Sequence, residues 1–289
     1  MLKNRAGFTL AEVLIALTLT AIIGAAVTGV FVSQSRFFDH QEKVGAAREV
    51  SRGALNIMMS EMRMLHQDSA IVSATDRRIT LRVPYAFGFV CEATVLNGIT
   101  ISLLPVDSVV FAEAGYSGYA IREPISGAWT YYQSITAPTA GDATRCASSG
   151  LVPSNNGVVP AAAGGAMAAG SVIEIPLSIG APAVGSPVFL YQEITYQFKP
   201  SVMVPGSRLA LWRRVEETGF EEELVAPFAP TARFRFYVND AATAQSAVPA
   251  DLSTVTGIEI VLDAISERPN PDGSHQEVPL TTSVFFKNR

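Results

Sequence analysis

Hydrophobic and polar positions divide the chain into stretches of different period. Residues 13–35 carry no charge and read VLIALTLTAIIGAAVTGVFV over most of their length. About 20 helical residues span the ~30 Å hydrocarbon layer of a bilayer, so this stretch has the length of a single membrane-crossing helix. From Arg36 the pattern becomes amphipathic: Val44, Ala47, Val50, Ala54, Ile57, Met58 and Leu65 recur at steps of three, four and seven. Glu42, Lys43, Arg48, Glu49, Arg52, Glu61 and Arg63 supply most of the charge around that stripe. Together the two stretches predict one near-continuous helix from about residue 9 to about residue 67, ~90 Å long at the standard rise. Gly24, Gly29, Gly45 and Gly53 are its soft points, since an interior glycine costs about 1 kcal/mol against alanine. Met58, Met59, Met62 and Met64 are expected to pack against a globular domain, where flexible thioethers fill irregular gaps.

After Asp68 the period falls to two and the residues become β-branched and aromatic. Strands are expected at RITLRVP (78–84), FGFVCEA (87–93), GITISLLP (98–105), SVVFAEA (108–114), GYAIREP (118–124) and AWTYYQS (128–134). Residues 134–170 interrupt this pattern with only Asp142 and Arg145 as charges and the run PAAAGGAMAAG, which reads as a low-complexity surface excursion. The strand pattern resumes at 188–200, 207–215, 219–225, 231–238, 257–265 and 280–288. Several of these alternate apolar with charged residues, as in RFRFYV, which suits an antiparallel sheet with one wet face. The fold class is therefore α+β: a long N-terminal helix whose second half packs on an antiparallel sheet.

Composition narrows the function. Among 289 residues, 48% are apolar and 16% charged, which excludes a disordered polar chain. A net charge of −5 makes a poor general nucleic-acid binder, because phosphate contacts need a basic face. No nucleic acid is indicated as a partner, although a sheet head can bind DNA without any motif. Two Cys and three His cannot build a zinc finger or a disulfide-dense scaffold.

Lys3 and Arg5 precede the apolar run and predict a cytoplasmic N-terminus with the rest of the chain outside. A secretory signal would have a shorter apolar run and a better cleavage site than Ala25-Ala26-Val27. Neither it nor a plain anchor explains Glu12, a carboxylate at the start of the run, where an unpaired charge costs a few kcal/mol. The surrounding residues, GFTLAEVLIAL (7–17), closely resemble the class III signal of type IV prepilins and type II secretion pseudopilins. The resemblance implies cleavage after Gly7 by a membrane-embedded prepilin peptidase and methyltransferase, with Phe8 as the N-methylated first residue. Gly7, lacking a Cβ, lets the enzyme approach the bond closely. Losing Lys3 and Arg5 with the leader makes the mature chain more acidic. Glu12, at the fifth mature position, would pair with the Phe8 amine of a neighbouring subunit as both leave the membrane, offsetting two desolvation costs and setting axial register.

The resemblance also implies an organisation: leader 1–7, membrane and assembly helix 8–35, amphipathic half 36–67, and an extracytoplasmic β-rich head at 68–289. The closing strands ALWRRV, ARFRFYVND, GIEIVLDAI and LTTSVFFKNR are similar to those of larger minor pilins and J-type minor pseudopilins, with Lys287-Asn288 where that group ends in Arg-Asn. The implied role is a non-enzymatic minor pilin placed in or at the tip of a type IV pilus. The alternatives are a minor pseudopilin of type II secretion and a membrane-anchored adhesin or ligand-binding protein. Implied partners are other pilins or pseudopilins, an inner-membrane assembly platform and, before assembly, lipid. The implied location is the inner membrane with a single pass, then a pilus or pseudopilus.

The remaining chemistry is sparse. Cys91 and Cys146 would lie in a compartment where disulfides persist; they are expected to bridge, with two separate thiols as the alternative. A bridge would be worth up to ~4 kcal/mol in the chain-entropy model. His40, His66 and His275 are scattered and expected to be solvated. Glu216, Glu217, Glu221, Glu222 and Glu223 read as a solvated strand and turn rather than a calcium site. PNPDGSHQE (269–277) lacks spaced EF-hand ligands and reads as a hairpin turn. No P-loop, Rossmann fingerprint, GxSxG or HExxH occurs, so no catalytic residue, cofactor or metal is expected.

Overall fold

The computed structural model describes residues 9–66, 69–94, 98–104, 107–111, 115–134, 136–147, 172–176, 182–204, 206, 208–239, 241–270 and 273–286. A single helix, α1 (Leu10–Met62), precedes an antiparallel sheet. The strands are β1 (Ile71–Ala74), β2 (Arg78–Thr94), β3 (Gly98–Leu103), β4 (Gly118–Arg122), β5 (Trp129–Gln133), β6 (Thr139–Ala140), β7 (Val172–Ile175), β8 (Pro187–Pro200), β9 (Leu209–Val215), β10 (Glu221–Phe228), β11 (Arg233–Val238), β12 (Val255–Ile265) and β13 (Glu277–Phe285). Two short helices, α2 (Asp107–Phe111) and α3 (Ala143–Ala147), lie between strands. The main path of the sheet runs β11-β12-β10-β9-β8-β2-β3-β7-β6, with β13 on β12, β1 on β2, and the β4–β5 hairpin on β8. This is the expected α+β architecture.

The helix stops at Met62, short of the expected residue 67. The N–H groups of Met64 and Leu65 turn back to the carbonyls of Glu61 and Met62 at 3.2 and 3.3 Å, tightening the last turn. That bend delivers Leu65 into the core, where it is fully buried. The covered face of α1 is Lys43, Ala47, Ser51, Ala54, Met58 and Met62. The expected stripe shares Ala47, Ala54 and Met58 with it, whereas Val44, Val50 and Ile57 sit half-buried on its flanks. Small residues hold the middle of the true face because the helix lies close on the sheet. Met58 and Met62 fill the wider gap at its end, while Met64 stays partly exposed.

Two corrections concern strands. β2 is one strand of 17 residues, not two, bent where its register against β8 shifts between Pro84 and Ala86. The strand expected at 108–114 is helical over its described part, α2. Asp107 accepts the Phe87 N–H at 2.9 Å, and its own N–H turns back to the Leu104 carbonyl at 3.0 Å, so the chain coils here instead of pairing. The stretch 134–170 is also less peripheral than expected. Its described residues include β6 and α3, and Cys146 is fully buried. The run PAAAGGAMAAG lies outside the described residues.

Among the described residues two large apolar cores result, with two small clusters beside them. The larger lies under α1 and joins Met58, Met62 and Leu65 to Tyr196, Phe198, Phe228 and Phe234 of the sheet. The second forms where β2 and β8 run beyond the helix and centres on Val90, Ile99, Ile101, Tyr119, Ile173 and Leu190. Gly88 permits the tight β2–β3 approach in this second core, because a Cβ there would meet the Ser102 carbonyl at 2.4 Å.

Polar clamps hold the helix at both ends of its covered half. Near the C-terminus, Arg213 donates twice to Glu61 Oε1, at 2.9 and 3.2 Å, and the Tyr196 hydroxyl donates to Oε2 at 2.7 Å. Near the start, the buried Lys43 ammonium contacts Asp39 at 2.7 Å and donates to the Pro269 carbonyl at 3.1 Å and Asn270 Oδ1 at 3.3 Å. Arg213→Ala is expected to cost about 2–3 kcal/mol, since it strips a half-buried carboxylate of its charged partner. Denaturant unfolding of the variant measures this loss. A change within error would mean that solvent replaces the guanidinium without cost.

Candidate assembly and processing site

Gly7 and Phe8, expected to flank the cleavage, and the expected leader with Lys3 and Arg5 lie outside the described residues. The site is therefore described from Thr9 onward. Thr9 is the N-cap of α1 and forms a reciprocal capping box with Glu12. Its backbone N–H and its hydroxyl each donate to Glu12 Oε2 at 2.9 Å, and the Glu12 N–H returns to Thr9 Oγ1 at 3.4 Å. The Glu12 carboxylate is thus folded back onto Thr9 at the helix start. Sequence reasoning missed the part played by Thr9. The signal was present, a Thr three residues before a Glu at the head of an apolar run.

From Leu10 to Phe38 no residue of α1 is covered by the head. The bare surface includes Leu10, Ile22, Phe31 and Phe38, each well over half exposed. The hydroxyls of Thr18, Thr20 and Thr28 donate to the carbonyls of Ile15, Ala16 and Gly24, so these polar side chains are satisfied within the helix. A segment of this kind can sit in hydrocarbon or against other apolar helices without leaving donors unpaired. It is long and apolar enough to cross a membrane.

The other singled-out residues do not converge on this segment. The sulfurs of Cys91 and Cys146 stand 2.07 Å apart, at bonding distance, joining α3 to β2 beside the buried Val172. Of the histidines only His40 is solvated. His66 is buried, its ring 4.9 Å from Trp129 and 5.5 Å from Phe189, because the chain leaving α1 passes under the β4–β5 hairpin. His275 is held between Arg208 at 2.8 Å and the Ser266 carbonyl at 2.7 Å.

The glutamates at 216–223 disperse. Glu216 faces Arg78 and Arg214, Glu221 contacts Lys199 at 2.6 Å, and Glu222 lies 3.8 Å from Arg213. Glu217 accepts the Glu193 N–H at 2.7 Å, and burial raises its carboxyl above the ordinary range. Among the described residues no group of three or more His, Cys, Asp or Glu could hold a metal ion. The β12–β13 connection is a hairpin turn closed from Asn270 to Ser274. Asp272, Lys287 and Asn288 lie outside the described residues.

Residues 2–28 match the family described as Prokaryotic N-terminal methylation motif. The chain therefore begins with a prepilin-type, class III signal that runs into an apolar helix suited to membrane anchoring. No curated protein and no solved structure matches the chain.

Proposed function

We propose that the chain is a structural subunit of a type IV pilus, a minor pilin cut after Gly7, N-methylated at Phe8 and assembled through α1. The observation that carries this reading is the methylation motif at residues 2–28 leading without a break into a helix that the head leaves bare. Members of that motif family are structural subunits rather than enzymes, and the motif implies processing by prepilin peptidase and assembly with other pilins. The size of the head supports a minor position. Every copy of a major subunit must fit a helical lattice, and a broad sheet with a second core beyond the helix suits a filament tip better. Bridging of Cys91 and Cys146 outside the cytoplasm would brace that second core.

A second reading, a minor pseudopilin of type II secretion, draws on the resemblance of the closing strands now placed as β9, β11, β12 and β13. The two share processing and differ in the machinery that uses the product. Neighbouring genes separate them: a retraction ATPase points to pili, and a secretin beside secreted hydrolases points to secretion.

Processing is the direct test. N-terminal sequencing and intact mass of membrane-extracted protein are expected to give a first residue Phe8 bearing one added methyl group. A bulky residue at Gly7 is expected to leave the precursor uncut, since a side chain would block approach to the scissile bond. A mature start near residue 27 would replace this reading with an ordinary secretory signal.

A further inference from the structure

A groove of about 220 Å³ runs between α1 and the β12–β13 connection. Asp39, Glu42 and Lys43 line it on the helix, and Ser266, Glu267 and Arg268 line it opposite. Lys43 is the first residue of α1 that the head buries, so the groove marks the border between the covered and the bare parts of the helix. Its level follows from counting along α1 itself. The uncharged residues 13–35 extend ~35 Å as a helix, slightly more than the ~30 Å hydrocarbon layer, and Arg36 is the first charge after them. Asp39 and Glu42 stand ~5 and ~9 Å beyond Arg36, and the polar layer on each side of a bilayer is about 5–8 Å deep. The exposed rings of Phe37 and Phe38 sit at the same place, as aromatic side chains do at a membrane interface.

Both signs of charge meet in this groove, and they are not equally engaged. The Lys43 ammonium is spent on Asp39, the Pro269 carbonyl and Asn270 Oδ1. The Ser266 hydroxyl is spent as well, donating to the Arg268 carbonyl at 2.9 Å and accepting the Gln276 N–H at 3.0 Å. Arg268 and Glu42 are held loosely. Their side chains are 79% and 72% exposed and stand 4.0 Å apart, the outer limit of an ion pair. Such a contact contributes little in water, so each partner can be exchanged for a better one. The Glu267 side chain is exposed beside them. The groove therefore offers one available guanidinium and two available carboxylates. A guanidinium matches a phosphate, and carboxylates match a primary ammonium with its three donors. A lipid headgroup that carries both supplies the complementary set in one molecule, and its acyl chains hold it at this depth.

We infer that this groove seats the headgroup of a zwitterionic phospholipid with a primary amine, of the phosphatidylethanolamine type, its ammonium donating to Glu42 and Glu267 and its phosphate accepting from Arg268. The inference rests on the membrane-crossing reading of α1. A choline headgroup fits less well, because its quaternary nitrogen has no N–H to donate to the carboxylates. A glycerol headgroup brings a phosphate but no cation, and so leaves Glu42 and Glu267 facing a net negative charge. The seated lipid ties the border of the head to the surface of the bilayer until α1 leaves it.

The test is native mass spectrometry of the full-length chain released from detergent micelles doped with phosphatidylethanolamine, phosphatidylcholine or phosphatidylglycerol. It reads the ratio of lipid-bound to free protein, and flotation of the same protein with vesicles at raised salt reads α1 separately. Phosphatidylethanolamine is expected to bind about tenfold better than either of the others. Glu42→Gln combined with Glu267→Gln is expected to abolish that preference. Arg268→Ala is expected to weaken phosphatidylethanolamine and phosphatidylglycerol alike, by about fivefold. The three side chains are exposed, so these variants keep the fold, and Glu123→Gln on the β4–β5 turn is the control that keeps the native ratio. Protein that floats yet binds the three lipids equally overturns the headgroup seat and leaves α1 in the membrane. Protein that does not float overturns both readings. A preference for phosphatidylglycerol overturns the inference in favour of simple attraction to Arg268, and a preference unchanged in the double carboxylate variant overturns it too. Glycerophosphoethanolamine, the same headgroup without acyl chains, is expected to compete weakly; competition as strong as the lipid's own overturns lipid as the occupant.

Discussion

A chain carrying Glu12→Ala is expected to be cut after Gly7 as efficiently as the native chain and to fail in assembly. Cleavage requires the leader and Gly7, neither of which the substitution touches. Assembly, on the proposed function, brings the Phe8 amine of one subunit against the Glu12 carboxylate of another in a water-poor helical core. Removing one side of a desolvated ion pair costs about 3–5 kcal/mol, chiefly because the other charge is left unpaired. Glu12 also closes the capping box with Thr9, and losing that contact costs roughly 1 kcal/mol at the helix start. Glu12→Gln separates the two effects. Its amide oxygen can still accept from Thr9, but it carries no charge, so it is expected to be nearly as damaging to assembly as the alanine variant. A tip position has only one direction of pairing, so the effect there is full if Glu12 holds a neighbour's amine and confined to the capping box if it does not. Complementation of a deletion strain, scored by filament number or by secretion with processing followed in parallel, decides the matter. Native assembly from Glu12→Ala at native expression would remove the registration role and leave Glu12 as a recognition element for processing.

The head is expected to unfold steeply in alkali, for a reason written in its tyrosines. Tyr119, Tyr191 and Tyr196 are buried to 2% exposure or less. Burial raises all three above the ordinary value of 10.0. Tyr191 is pushed up to about 12 by burial, with the Arg82 guanidinium pulling it partly back. For Tyr196 burial is again the main cause, followed by the Glu61 carboxylate that accepts its hydroxyl proton. The folded state therefore holds these protons more tightly than the unfolded chain does. Stability is fully present below about pH 10 and is lost as pH rises from there through the folded values. Each tyrosine contributes a slope of about 1.4 kcal/mol per pH unit, or ~4 kcal/mol for the three. Against a total stability of about 5–15 kcal/mol, that slope brings unfolding within about one to four pH units. Circular dichroism and tyrosinate absorbance recorded through the same titration should change together. Tyrosinate appearing gradually while the strand signal persists would show that the rings ionise within the fold. Tyr196→Phe is expected to reduce the slope by about 1.4 kcal/mol per pH unit.

Local pattern was sufficient wherever one period or one short motif carried the information. The uncharged run at 13–35, the Gly-Phe-Glu spacing at its head and the alternation in RFRFYV each need only neighbouring residues to be read. The helix and most strands of the sheet's second half followed from these alone. What failed depended on partners distant in sequence. The segment at 108–114 has strand-like residues, yet the hydrogen bond from the Phe87 N–H to Asp107 coils it, and no local rule contains Phe87. The face of α1 was rotated from the expected stripe because close approach to the sheet favours Ala47, Ser51 and Ala54 over larger side chains. The glutamates at 216–223 do not form one solvated cluster: Glu216 and Glu217 lie beside Glu193, Glu221–Glu223 lie on β10, and pairing against β8 and β9 gives them cationic or backbone partners. His66 is buried rather than solvated as expected, and nothing near it in sequence supplies the rings of Trp129 and Phe189. The sequence by itself thus determined the prepilin-type motif at residues 2–28 and the apolar helix that follows, since both are local, one-dimensional features. Which head residues are buried and which charges are paired were decided only by the tertiary structure, because sheet pairing joins residues more than a hundred positions apart.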